Sequence, residues 1–206
     1  VVGLFFLYRE WRHPDPILQP RFFLRRTFAA ANASILLSNL AMYTTFLAIP
    51  LFLVDAPGWG SAKAGAVLAV MWAPTAFCAP VGGRLADRFG RRWPTAAGLA
   101  LFALGLWAVS MAVTGTRIEL AFLAGGLALA GVGLGLSQAG LQTAAVEAVS
   151  DREAGSAAGI FSTSRYIGSI TGSSLLPLLF GTGSGADGFA RVLLMVLVAA
   201  VAAVAV

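Results

Sequence analysis

Long unbroken apolar runs constrain this chain more than any other feature. A hydrocarbon layer of about 30 Å takes ~20 helical residues to cross. Runs at roughly 28–53, 61–83, 94–114, 119–148 and 155–181 meet that length, with a shorter run at 189–206 and a tail at 1–8. No stretch alternates polar and apolar residues as a half-buried strand would, and the runs are far too long for strands. Within lipid, a backbone that satisfies its own hydrogen bonds is helical. The expected fold class is therefore all-α integral membrane. Composition agrees, since 58% of the 206 residues are hydrophobic and only 11% charged. Soluble domains carry about 45–50% and 25%, so a water-facing surface could not be assembled here. The 24 glycines are poor material for a soluble core but suit membrane helices that approach closely. Val1 and Val206 each lie inside an apolar run, so the expectation is a chain clipped at both ends. No basic segment precedes the first run and no small-residue cleavage site follows it, which excludes a signal peptide there.

The connections carry a charge bias that tests this span count. Read alternately as one side and the other, one side collects ten of the 14 basic residues: Arg9, Arg12, Arg21, Arg25, Arg26, Arg84, Arg88, Arg91, Arg92 and Arg152. The other collects Lys63, Arg117 and Arg191, and Arg165 lies inside a span. A miscounted span would scramble the asymmetry. The positive-inside rule then makes the connections 9–27, 84–93 and 150–154 cytoplasmic and places the chain in the cell membrane. The net charge of +5 follows from topology and forms no nucleic-acid-binding face. In the connection 9–27, Pro14, Pro16 and Pro20 prevent a continuous helix, and aromatics beside arginines at its end suit an interfacial stretch over anionic headgroups. That stretch reads as an orientation anchor or as a lipid-binding regulatory site.

Catalytic chemistry finds no footing. His13 stands in a basic connection without an acid–base partner, Cys78 is alone, and there is no nucleophile motif or metal-ligand cluster. An enzyme, a metal site and a cofactor are not expected.

Between the second and third spans stands Gly83-Arg84-Leu85-Ala86-Asp87-Arg88-Phe89-Gly90-Arg91-Arg92. A topological connection needs arginines, but not an aspartate fixed among them or glycines at both 83 and 90. These additions suit a turn packed against another helix, with a carboxylate held by arginines. The segment resembles the loop motif G-x-L-x-D-R-x-G-R-R/K of the major facilitator superfamily, matching every defined position. The resemblance implies a six-helix half of a transporter, with Gly83, Asp87, Arg88, Gly90, Arg91 and Arg92 forming a cytoplasmic latch loop. Asp87 is implied to brace that loop against the start of the fifth helix of the half. The layout then makes 1–8 the end of a preceding helix, 9–27 a basic linker and 28–206 the carboxy-terminal half. Glu10, Arg12, Pro16 and Phe22-Phe23 resemble, more loosely, the connection of fourteen-helix drug–proton antiporters. Gly155 to Gly159, followed by Arg165, Gly168 and Gly172, is similar to a fifth-helix run of the same exporters. The implied function is secondary active transport by alternating access, with proton-coupled export of drug-like solutes, an amino-terminal half outside this sequence, and a bilayer, a small-molecule substrate and protons as partners. The alternatives are a nutrient or metabolite symporter of the same fold and a non-transporting receptor or assembly subunit.

Polar residues inside the spans mark candidate sites. Arg165 falls about 15 Å into its helix, near the midplane, where an arginine costs from about 2.5 to over 10 kcal/mol unless it faces protein or water. It reads either as a substrate or coupling group or as a structural donor to backbone carbonyls. Asn32, Asn39 and Tyr43 fall within about 40° on one helix face, and Gln138 and Gln142 one turn apart on another. With Trp72 they read as a cavity for a lipophilic cation or neutral drug, or as hydrogen bonding between helices. Glu147, near the basic side, reads as a partner of the Asp87, Arg88 and Arg91 network or as a solvated interfacial acid. Gly131, Gly133 and Gly135 follow no strand, so close helix packing is expected rather than a nucleotide fingerprint. Pro50, Pro74, Pro80 and Pro177 are kink candidates.

Overall fold

The structure is a computed structural model, and it describes residues 20–54, 60–113, 119–180 and 186–205. The expected tail at 1–8, most of the connection 9–27 with His13, and Arg117 lie outside the described residues. Six helices follow a short 3-10 turn at Pro20–Leu24: α1 Arg26–Val54, α2 Ser61–Phe89, α3 Arg92–Val113, α4 Leu120–Glu147, α5 Ala154–Phe180 and α6 Ala186–Ala205. Among the described residues there is no strand, and the fold is all-α. Five of the helices, α1 to α4 and α6, are long and apolar enough to cross a membrane. The sequence reading counts α5 as a full span and α6 as clipped. α5 has the length but falls short in apolarity, because it carries Arg165 and eight serines and threonines. The intrahelical prolines interrupt nothing: α1 continues through Pro50, α2 through Pro74 and Pro80, and α5 through Pro177.

The packing has an internal order. α4 packs on α2 and α3, α1 packs on α5 and α6, α1 touches α4, and α3 touches α6. Exchanging α1, α2, α3 with α4, α5, α6 returns the same set of neighbours. Two helices stand between the members of each pair, so the partners run in opposite directions and the repeat is inverted, as in transporter folds built from two such units. The main buried apolar cluster joins all six helices through side chains such as Ile49, Met71, Phe102, Leu127, Leu176 and Val196. A second cluster lies at the basic end, where Phe22 and Phe28 meet Leu141, Ala145, Val149 and Phe161.

Glycine sets the helix spacing, as membrane helices without a hydrophobic drive between them require. A Cβ on Gly131 would overlap the Met71 carbonyl of α2, and one on Gly133 would overlap the Phe102 amide of α3. A Cβ on Gly135 would lie 2.6 Å from the Thr75 carbonyl. The three glycines at alternate positions of α4 therefore serve two neighbours on two sides, and the expected close packing is what they do. On α5, Gly168 and Gly172 admit the backbone of α1 at Leu36 and Leu40. α2 is the least enclosed of the five apolar helices: 17% of its apolar stretch is buried, against 44–56% in the others.

Candidate functional site

The motif residues do not form a free loop. α2 continues through Gly83, Asp87 and Arg88 to Phe89, so most of the motif occupies its last two turns. Gly90 then ends the helix with φ +78°, a left-handed conformation that disfavours any residue with a Cβ. Space around Gly90 is open, so backbone conformation and not crowding requires it. At the other motif glycine, crowding falls one residue earlier than the motif suggests. A Cβ on Gly82 would lie 2.6 Å from the Leu136 carbonyl of α4, whereas one on Gly83 would only touch Ala139 at 4.0 Å.

Arg91, in the turn before α3, forms an ion pair with Glu147 at the last residue of α4. Their side chains are 28% and 54% exposed, so solvent screens the pair and holds its worth to about 0–1 kcal/mol. A contact that weak does not hold the bundle together. It is suited to being made and broken. Asp87 is exposed and has no ion pair or side-chain hydrogen bond among the described residues. Arg88 is exposed and lies 5.4 Å over the Phe89 ring, and Arg92 opens α3 in an exposed position.

The turn from α4 to α5 is fastened from within. The Ser150 hydroxyl lies 2.6 Å and its amide nitrogen 3.1 Å from the Glu153 carboxylate, both donating. These two bonds, the hydroxyl first, together with the Arg25 charge, hold the Glu153 pKa below the ordinary glutamate value. The ionised form is thus favoured in the fold. Its contribution is present above the ordinary carboxylate range and is lost as pH falls through the lowered value.

The polar residues of α1 divide into two groups. Asn32 and Asn39 are 2% and 1% exposed and are closed into the bundle. Asn32 donates to the Phe28 carbonyl at 2.8 Å and accepts from the Ser164 hydroxyl of α5 at 2.9 Å, while Asn39 donates to the Ile35 carbonyl at 3.0 Å. Tyr43 is exposed, and an aromatic row runs from it through Phe46 to Trp72 of α2, with edge-on centroid spacings of 6.5 and 6.1 Å. Phe46 joins the two aromatics the sequence singled out. It is missed from sequence because a phenylalanine in an apolar run carries no signal. Gln138 is half-buried and Gln142 exposed on α4. Arg165 is half-buried, with its guanidinium 5.5 Å over the exposed Tyr166 ring. No group of three or more His, Cys, Asp or Glu able to hold a metal occurs among the described residues.

Six packed helices with inverted internal order, apolar surfaces and an arginine-rich end define a multi-pass membrane protein. A family description of the Major Facilitator Superfamily matches residues 32–206, and the chain belongs to that family. It is 34% identical over 180 residues to an uncharacterized MFS-type transporter, YvkA, of Bacillus subtilis, covering 87% of this chain and 40% of that protein. It is 32% identical over 171 residues to the multidrug resistance protein Stp of Mycobacterium tuberculosis, covering 83% and 31%. A multidrug resistance protein B homolog of the same organism is 25% identical over 179 residues, covering 87% and 33%. The chain thus spans between 31% and 40% of the length of these relatives. It is a transporter-family protein and not an enzyme.

Proposed function

We propose that this chain is the carboxy-terminal half of a proton-coupled exporter of small, drug-like organic solutes, working by alternating access in the cell membrane with its basic end cytoplasmic. The observation that carries the reading is the Arg91–Glu147 ion pair, which ties the motif turn to the end of α4 through a contact weak enough to switch. Asp87 stands four residues before Arg91, so two carboxylates are available to one arginine cluster. Exchange between them is a bistable element of the kind a transport cycle uses. The less enclosed side of α2, with the exposed aromatics Tyr43 and Trp72, faces the amino-terminal half across the solute path. Gln142, Gln138 and Arg165 contribute polar groups from α4 and α5, while Asn32 serves that wall by holding α1 to α5 and Asn39 is tied to its own helix at Ile35. Relatives named as multidrug resistance proteins support the drug-like solute.

The test is transport by the full-length protein in vesicles carrying a proton gradient, with a panel of lipophilic drugs. Asp87→Asn and Glu147→Gln each lower drug flux by about fivefold, the factor that corresponds to ~1 kcal/mol. Flux unchanged in both variants, or flux indifferent to the gradient, defeats the reading.

A further inference from the structure

The helix end that Arg91 holds is also held from a second direction. Arg25, in the segment leading into α1, donates from Nη1 to the carbonyl of Ala148, the residue next to Glu147. This contact joins positions 123 residues apart. The lead-in segment is built to aim it. Phe22 is 1% exposed, lies in the buried cluster with Leu141, Ala145 and Val149, and meets Phe28 edge-on at 5.4 Å. The Arg25 amide bonds the Phe22 carbonyl at 3.0 Å, and the Arg25 carbonyl accepts from Ala29, also at 3.0 Å. The guanidinium thus leaves a short, fixed turn. Its acceptor is one of the carbonyls at the end of α4, where a cation also meets the negative end of the helix dipole. Glu153, held by Ser150 in the turn just before α5, adds an opposite charge near enough to act on Arg25.

We propose that Arg25 is a positioning residue that clasps the cytoplasmic end of α4, so that the lead-in segment before α1 and the motif turn before α3 hold the same switching element from two sides. Movement of the preceding half, carried through the lead-in segment, then changes the hold on α4 without touching the motif. The inference rests on the latch reading of Arg91 and Glu147, and its test separates the two.

In the full-length protein in membranes, with Cys78→Ser and any other native cysteines replaced, Ala139→Cys places a thiol where α4 lies against Gly83 of α2. Its rate of maleimide labelling reports separation of the two helices and needs no substrate. Arg25→Gln raises that rate about fivefold, the factor expected for a lost exposed charge-assisted contact. Arg25→Lys, which keeps the charge and a donor, stays closer to the unmutated rate. Arg26→Gln, which removes the same charge from the neighbouring position, leaves the rate unchanged. Arg91→Gln also raises it, and the double variant rises by less than the product of the two because both act on one helix end. An unaltered rate in Arg25→Gln overturns the proposal, as does an equal rise in Arg26→Gln, which would make bulk charge sufficient. A rise in Arg25→Gln with none in Arg91→Gln leaves the clasp standing and overturns the latch.

Discussion

α1 and α4 occupy equivalent places in the inverted repeat, yet they bring different residues to the packing. α4 is buried through glycine: Gly126, Gly131, Gly133, Gly135 and Gly140 bring α2 or α3 against its backbone. α1 carries no glycine and instead buries polar side chains, with Asn32, Ser34, Ser38, Asn39, Thr44 and Thr45 all inside the bundle, while the glycines at its contact with α5, Gly168 and Gly172, belong to α5. The two solutions answer the same problem, that helices in lipid gain nothing from excluding water between them. On α4 the gain is close backbone contact over a long stripe. On α1 it is satisfied polar groups. Ser38, Thr44 and Thr45 donate to carbonyls of their own helix, while Ser34 reaches the Ala203 carbonyl of α6 and Asn32 receives the Ser164 hydroxyl of α5. Glycine contacts tolerate no added atom. Hydrogen-bonded contacts tolerate substitution at a modest cost.

The largest expected effect follows from that intolerance. Gly131→Ala and Gly133→Ala each force a methyl into a neighbouring backbone, on α2 and α3 respectively. Overpacking of this kind costs about 1–3 kcal/mol, and these two sites fall at the upper end because the obstructing atoms are main chain. Gly125→Ala is the control on the same helix, since a Cβ there meets nothing within 4 Å. Its expected effect is neutral to a gain of about 0.5–1 kcal/mol from helix propensity. Thermal unfolding in detergent, followed by the fraction remaining monodisperse, checks the contrast. If Gly131→Ala behaves like Gly125→Ala, the glycine account of α4 is wrong.

The α1 prediction is smaller. Asn32→Leu removes the acceptor of the Ser164 hydroxyl and one bond to the Phe28 carbonyl. Hydrogen bonds between membrane helices contribute about 0.6 kcal/mol on average and up to ~2, because the unfolded chain in lipid finds other partners. A loss of about 1–2 kcal/mol is expected, reduced further in an Asn32→Leu, Ser164→Ala pair that leaves no orphaned hydroxyl. A pair as unstable as the single variant would show that Asn32 acts through packing alone.

These differences mark what a sequence displays. Helix number, the packing role of Gly131, Gly133 and Gly135, and the motif turn were legible because apolar length, small-residue spacing and a fixed charge pattern are local. The reach of α2 to Phe89 was not, since a helix leaves the bilayer without losing its hydrogen bonds and the arginines that end a span do not end a helix. The motif does not mark Gly82 as the crowded glycine for a related reason: which side of α2 meets α4 is a tertiary fact. Asn32 and Asn39 share a face with Tyr43, as their spacing requires, but that spacing does not fix how far the face turns toward α5. Arg25 is one arginine among ten on its side, and its acceptor is a backbone carbonyl, which every residue possesses.

One group breaks the contrast between the two helices and offers a gain instead of a loss. Every buried hydroxyl on α1 has a hydrogen-bond partner, but on the glycine side the Thr95 hydroxyl of α3 is buried with none among the described residues. It lies against Gly140, where an added Cβ would overlap it. Burying a hydroxyl without a partner costs about 1–3 kcal/mol in protein interiors. Thr95→Val keeps the shape and removes the polar atom, so stability rises by about 1 kcal/mol, the low end of that range because the turn lies near the aqueous face. The matching change on α1, Thr45→Val, removes a hydroxyl already bonded to the Ala41 carbonyl at 2.7 Å and gives no gain. Opposite outcomes for two identical substitutions, read as a rise in unfolding temperature for one alone, would confirm that hydroxyls stabilise α1 and merely fill space beside α4. A rise in both would mean that the polar packing of α1 lowers the stability of the fold.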